Sequence, residues 1–204
     1  QGTGAVTVAG LLCALRALRQ TPRDITKQRI VCVGAGSAGI GVCESIAYAM
    51  REEGLEEEEA YKRFWLLDAN GLLSSERVSL HRSQRPFARS DMSDGTSIID
   101  TIRAVKPTIL LGLSGVGKVF TEEVIREMKK YCDVPIIFPL SNPTSRAECS
   151  FEDAVQWTDG QLLFASGSPF QPYEYKGRTY YPSQGNNMFV FPGIGLGAVV
   201  SKAT

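Results

Sequence analysis

The sequence predicts an α/β fold, a doubly wound and mostly parallel sheet with helices on both faces, and two patterns carry that prediction. Short apolar runs at 64–68, 108–111, 135–140 and 162–165 alternate with helix-like segments at 97–105, 121–131 and 151–156. Buried strands separated by helices imply parallel pairing through right-handed crossovers. Ahead of them, residues 29–41 hold an apolar strand that breaks into Gly34-x-Gly36-x-x-Gly39 and then a helical pattern. Strand, glycine turn and helix in that order make the Rossmann-type fingerprint of a dinucleotide-binding loop.

Taken along the chain, residues 3–19 come first as an amphipathic helix, with Val8, Leu11, Leu12, Leu15 and Leu18 at helical spacing and Pro22 beyond the end. In the fingerprint, Gly34 permits the tight turn, Gly36 lets the backbone approach phosphates, and Gly39 lets the helix lie close on the strand. The loop Gly34, Ala35, Gly36, Ser37, Ala38 and Gly39 is therefore the expected pyrophosphate site, at a helix N-terminus with free N–H groups and partial positive charge. The run from Glu52 to Glu59 reads as a solvated acidic face, with Glu58–Lys62 and Glu59–Arg63 spaced to pair at i,i+4.

Residues 64–68 end in Asp68, 29 positions beyond Gly39, where about 20 is usual; the glutamate-rich insertion accounts for the excess. A carboxylate there can accept both ribose hydroxyls and repel a 2′-phosphate. The alternative role for Asp68 is a capping or turn aspartate before Asn70-Gly71. Residues 173–182 alternate around Lys176-Gly177 as a small hairpin. No internal repeat or linker divides the chain, so residues 1–204 read as one dinucleotide-binding domain, a size that fills one α/β domain and not two large ones.

Composition narrows the function classes. The 22 basic and 22 acidic residues balance, so no net field favours nucleic acid, and no apolar run approaches the roughly 20 residues of a membrane span. Five widely spaced cysteines, Cys13, Cys32, Cys43, Cys132 and Cys149, contain no C-x-x-C pair and read as reduced intracellular thiols. The single histidine, His81, sits in a polar stretch. The chain starts at Gln1 rather than methionine, which reads as an excised piece of a longer protein.

In open parallel sheets ligands collect beyond the carboxyl ends of the strands. Four segments of unusual composition fall there: 112–118, 141–144, 166–169 and 185–187. Gly112-x-x-x-x-Gly117-Lys118 nearly matches a P-loop, but Val119 stands where a Mg²⁺-binding hydroxyl is required. A glycine-rich loop passing beside a cofactor is the preferred reading. Asn142, Asn186 and Asn187 offer neutral donors and acceptors that suit a hydroxy acid, or else serve as turn residues. Lys118 is the one candidate proton acceptor at this rim, and no acidic cluster suggests a metal site.

These segments, in order, resemble malic enzyme, the decarboxylating malate dehydrogenase family. The matching stretches are Gln1-Gly2-Thr3-Gly4, Val33-Gly34-Ala35-Gly36, Leu67-Asp68, Pro139 to Thr144, Ala147-Glu148-Cys149, Phe164 to Phe170, Gln184 to Asn187 and Phe191-Pro192-Gly193. The resemblance implies a full-length enzyme that oxidises L-malate with NAD or NADP and releases pyruvate with the help of Mg²⁺ or Mn²⁺. By position it implies that Asn142, Asn186 and Asn187 contact malate or the nicotinamide end, that Asp68 meets the adenosine ribose, and that Thr3 lies near the phosphates. It also implies that the metal-binding acids and the catalytic lysine and tyrosine lie before Gln1, so that no catalytic or metal-ligating residue falls in this chain and the isolated piece is inactive.

A homo-oligomer is expected for the full-length enzyme, in the cytoplasm or a mitochondrion. The competing readings are a dinucleotide-sensing module without chemistry and the cofactor domain of another hydroxy-acid dehydrogenase. Cofactor choice leans to NAD: Asp68 opposes a 2′-phosphate, Ala69 and Asn70 bring no cation, and Gln84 falls where relatives that prefer NADP carry lysine. Arg82 or Arg85 turning inward would supply the missing charge.

Overall fold

The computed structural model describes residues 2–203; Gln1, the first residue of one matching stretch, lies outside them. Its centre is a sheet of β1 (Ile30–Val33), β2 (Phe64–Asp68), β3 (Gly71–Leu72), β4 (Ile109–Gly112), β5 (Ile136–Pro139), β6 (Leu163–Ser166) and β9 (Ser183–Gln184), in the order β3-β2-β1-β4-β5-β6-β9. All neighbours pair in parallel except β2 and β3. A separate antiparallel hairpin joins β7 (Tyr173–Tyr175) to β8 (Arg178–Tyr180). Its turn is Lys176-Gly177, both at positive φ, as that sequence demands.

Successive strand residues point to opposite faces, and both faces are apolar because both are covered. Ile30, Cys32, Phe64, Leu66, Ile109, Leu111, Ile136 and Phe138 share one core with α1 (Gly2–Ala17) and α2 (Ser37–Glu52). Val31, Trp65, Leu67, Leu110 and Ile137 face the other core, filled by α4 (Ile98–Val105), α5 (Glu122–Lys129) and α6 (Phe151–Trp157). The last three helices start on side-chain caps: Ser97, Thr121 and Ser150 accept from the third backbone N–H of each. This is the doubly wound arrangement that the sequence predicts.

Three local features differ from expectation. Lys62 reaches both Glu58 (3.1 Å) and Glu59 (2.9 Å), so the expected Glu59–Arg63 pair is absent. The short helix α3 (Glu57–Tyr61) ends before Arg63, which leaves the helical face, and the Arg63 Nε is buried without a partner. The two-residue strands β3 and β9 are too short to show periodicity in sequence. A last helix, α7 (Phe191–Ser201), contains three glycines and no buried residue, so neither propensity nor an apolar stripe announces it. Among the described residues no helix is long and apolar enough to cross a membrane.

Leu111 is fully buried on the central strand β4, so Leu111→Ala is expected to lower the unfolding free energy by about 2–5 kcal/mol. Ser150→Ala, which removes one helix cap, should cost about 1 kcal/mol. Urea unfolding of both variants checks the difference; equal losses would mean that the sheet core is not the main source of stability.

Candidate functional site

The chain runs from β1 outward to β2 and then returns to place β4 on the other side of β1. The loops after β1 and β4 therefore part in opposite directions and open a crevice at the strand ends. Gly34 has φ 122°, its N–H donates to the Leu67 carbonyl (2.8 Å), and a Cβ there would overlap the Leu113 carbonyl. A Cβ on Gly39 would overlap the Gly34 carbonyl. Gly36 differs from both, because a Cβ there would meet nothing within 4 Å.

The crevice is a cavity of about 770 Å³, lined among others by Gly34, Gly36, Asp68, Asn70, Leu113 and Ser114. Gly36, Ser37 and Ala38 are exposed to it or to solvent, whereas Ala35 and Gly39 are buried. Ala35 belongs to the core as well as to the cavity wall. As the N-cap of α2, Gly36 brings no side chain to the first turn, and that turn holds no acidic residue. An open space in front of uncapped helical N–H groups suits an anionic diphosphate.

Asp68 is held from two sides. Its Oδ1 accepts from the Asn70 N–H (2.8 Å), and its Oδ2 pairs with the Arg77 guanidinium (2.5 Å). Arg77, only 10% exposed at its side chain, also pairs with Asp94 (2.8 Å) and donates to the Leu72 carbonyl (3.0 Å). Burial opposes charge on Asp94, yet the Arg77 hydrogen bonds and the Ser74 N–H prevail and hold its carboxyl below the usual range. The cation that pairs with Asp68 is Arg77, a residue the sequence did not single out, rather than Arg82 or Arg85. Gln84 does reach the glycine loop, donating its amide to the Ala35 carbonyl (3.0 Å).

The asparagines divide into two places. Asn142 accepts from the Ser168 hydroxyl (2.6 Å), and Asn186 donates to the Gly167 carbonyl (3.1 Å), so both gather around Gly167. The Asn186 carbonyl oxygen also accepts from the Met188 N–H (3.0 Å), capping the turn Asn187–Phe189. Asn187 is half-buried at the start of α1, where a Cβ on Gly2 would lie 3.2 Å from its own Cβ. Thr3 sits in that first turn, its carbonyl accepting from Thr7 (2.7 Å), and it is not part of the cavity wall at the glycine loop.

The 112–118 loop spends its donors on protein. The Ser114 N–H goes to the Glu148 carboxylate (2.9 Å), the Gly115 N–H to the Ser141 hydroxyl (2.9 Å), and the Lys118 N–H to the Ala147 carbonyl (3.1 Å). A loop whose N–H groups are engaged in this way does not fit a phosphate-binding P-loop, in line with Val119. Next to Glu148, burial pushes the Cys149 thiol well above its ordinary range, and the Glu148 charge adds to the shift; such a thiol is inert. Among the described residues no cluster of three His, Cys, Asp or Glu could hold a metal ion.

Two functional candidates escape sequence reasoning. Arg77 lies in a polar loop with no local pattern, and Glu148 belongs to a matching stretch that gives no hint of its burial.

The whole chain, residues 1–204, matches a family model described as malic enzyme, NAD binding domain. It is 49% identical to the NADP-dependent malic enzyme of Dictyostelium discoideum and 46% identical to NAD-dependent malic enzyme 3 of Bacillus subtilis, covering 100% of this chain and 37% of each relative. The crystal structure of the Entamoeba histolytica malic enzyme superposes with a TM-score of 0.72 at 28% identity, over 98% of this chain and 36% of that one. The chain thus spans about a third of the length of the relatives it matches.

Replacing Gly36 by valine should leave folding nearly unchanged, by less than about 1 kcal/mol, because its side chain enters open space. Gly39→Val must displace the Gly34 carbonyl and should cost about 1–3 kcal/mol of stability. Thermal unfolding separates the two, and calorimetric titration with NAD should show binding lost in a folded Gly36→Val protein. Retained affinity would make the loop a structural turn only.

Proposed function

The chain belongs to the malic enzyme family as its NAD-binding domain, and on that premise we propose that it forms the single dinucleotide-binding domain of an enzyme that oxidatively decarboxylates L-malate to pyruvate and CO₂. The observation that carries this reading is the open space in front of Gly36 at the N-terminus of α2, inside the crevice between the β1 and β4 loops. When bound, the dinucleotide accepts the hydride from the malate C2. The residues of this chain bind and orient: the 34–39 loop holds the pyrophosphate, Asp68 the adenosine ribose, and Asn142 and Asn187 the substrate or the nicotinamide end.

Asn186 has both amide atoms engaged with main chain, so its part is to shape the turn that presents Asn187. Thr3, in the neighbouring first turn of α1, lies at that same end, away from the wall at the glycine loop. The divalent metal finds no ligand set among the described residues. The acids that hold it, and the lysine and tyrosine that move protons, belong to parts of the full-length protein outside residues 1–204. That protein is a homo-oligomer in this reading.

NAD is the proposed cofactor. The guanidinium nearest Asp68 is already shared between two carboxylates, and the side chain that reaches the glycine loop is the neutral Gln84. A 2′-phosphate requires an unshared cation, which Arg77 is not.

Residues 1–204 alone, given malate, NAD and Mn²⁺, should produce no NADH; steady turnover by the pure piece would refute the division of labour. In the full-length enzyme Asn142→Ala and Asn187→Ala should each lower kcat/KM for malate by roughly 10- to 100-fold, from lost buried hydrogen bonds. Unchanged kinetics would return both to turn residues. Gln84→Lys should shift the NAD:NADP preference toward NADP by on the order of tenfold, read from kcat/KM with each cofactor. A parent enzyme that already prefers NADP would overturn the assignment.

A further inference from the structure

Glu148 is a fully buried acid for which the glycine-loop reading has no use. Its Oε1 accepts from the Ser114 N–H (2.9 Å), the Ser114 hydroxyl (2.7 Å) and the Ser141 hydroxyl (2.5 Å), and its Oε2 faces the Ser141 N–H at 3.4 Å. Every hydrogen-bond partner of this carboxylate among the described residues is a hydroxyl or a backbone N–H. A buried carboxylate is costly unless its oxygens are satisfied, and here the donors come from two separate loops. Ser141 extends the link by accepting from the Gly115 N–H (2.9 Å). The Glu148 main chain adds another tie, its carbonyl accepting from the Phe120 N–H (2.9 Å). Gly112 leaves room for the carboxylate, since a Cβ there would overlap it.

Of the two loops bound in this way, the one after β5 leads into Asn142 and the one after β4 walls the cofactor crevice. Leu113 and Ser114 line it, and the Leu113 carbonyl abuts Gly34. Asn142 directly follows Ser141. With Asp68 marking the adenosine side over β2, a dinucleotide spanning the switch point brings its other half over the ends of β4 and β5. That is where Ser114, Ser141 and Asn142 lie. A leucine or methionine could fill the volume under these loops, but only an acceptor can gather three donors from two strand ends at one point.

We propose that Glu148 is a positioning residue for the nicotinamide half of the site: its buried carboxylate holds the Ser114 wall and the Ser141–Asn142 step in one mutual geometry. The proposal rests on the dinucleotide reading of the glycine loop, and its test separates the two. Calorimetric titration of the full-length protein uses NAD and ADP-ribose, which shares the adenosine and diphosphate but lacks nicotinamide. Glu148→Gln keeps the volume and puts an amide donor against the Ser141 N–H.

In that variant ADP-ribose affinity should stay within about twofold of the parent, while NAD affinity falls on the order of tenfold, and KM for malate should rise with it. If NAD and ADP-ribose affinities are both unchanged, or fall equally, the carboxylate only supports the fold and the proposal is overturned. Should Glu148→Gln fail to fold, Ser141→Ala removes one donor to the carboxylate and the acceptor of Gly115, and the same selective loss of NAD is expected. A parent that binds neither ligand overturns the dinucleotide reading, and this proposal with it.

Discussion

The close approach of the Gly34 backbone to the Leu113 carbonyl is the constraint on which the rest of the rim depends. Parallel strands β1 and β4 lie side by side, and the loops leaving them must diverge within a residue or two while still touching at their base. Only a residue without a side chain, at φ 122°, passes that point. Gly39 then lets α2 settle against the Gly34 carbonyl, which aims the helix N-terminus into the crevice. Gly36 is under no such pressure from the protein, since a Cβ there would meet nothing within 4 Å.

Two buried polar centres organise the two ends of this crevice by opposite means. On the β2 side, Arg77 is shared by Asp68 and Asp94 and tied to the Leu72 carbonyl, which joins the strand end to the loop that follows. On the β4–β5 side, Glu148 collects hydroxyl and amide donors. Each is a polar side chain largely removed from water, and each is tolerable because several partners converge on it. Removing one partner leaves a buried polar group unsatisfied, so these centres fix geometry more than they add stability. The first fixes the Asp68 carboxylate at the end of β2; the second ties the Ser114 loop to Ser141, the residue before Asn142.

The fold was legible because its signals are local or periodic. Apolar runs such as 64–68 and 108–111 can only be buried strands, and their alternation with amphipathic helices leaves the doubly wound sheet as the natural answer. The strand–glycine–helix order of 29–41 located the crevice. Pairings that depend on where a helix stops were less legible, as with Arg63, which falls just past the end of α3 and so loses Glu59 to Lys62. The helix α7 gave no stripe to read, because none of its residues is buried.

The sequence by itself determined the class of fold, the glycine loop and the family, because these rest on backbone conformation and short-range order that a few residues dictate. It also placed Asp68 and the asparagines at the rim, since strand ends in a parallel sheet share one edge. Which groups surround those residues was decided by tertiary structure alone. Arg77 reaches Asp68 from nine positions away, and Glu148 reaches Ser114 across 34 residues. Such contacts bring together loops from different strands, and their partners are set by the order of strands in the sheet, which leaves no periodic trace along the chain.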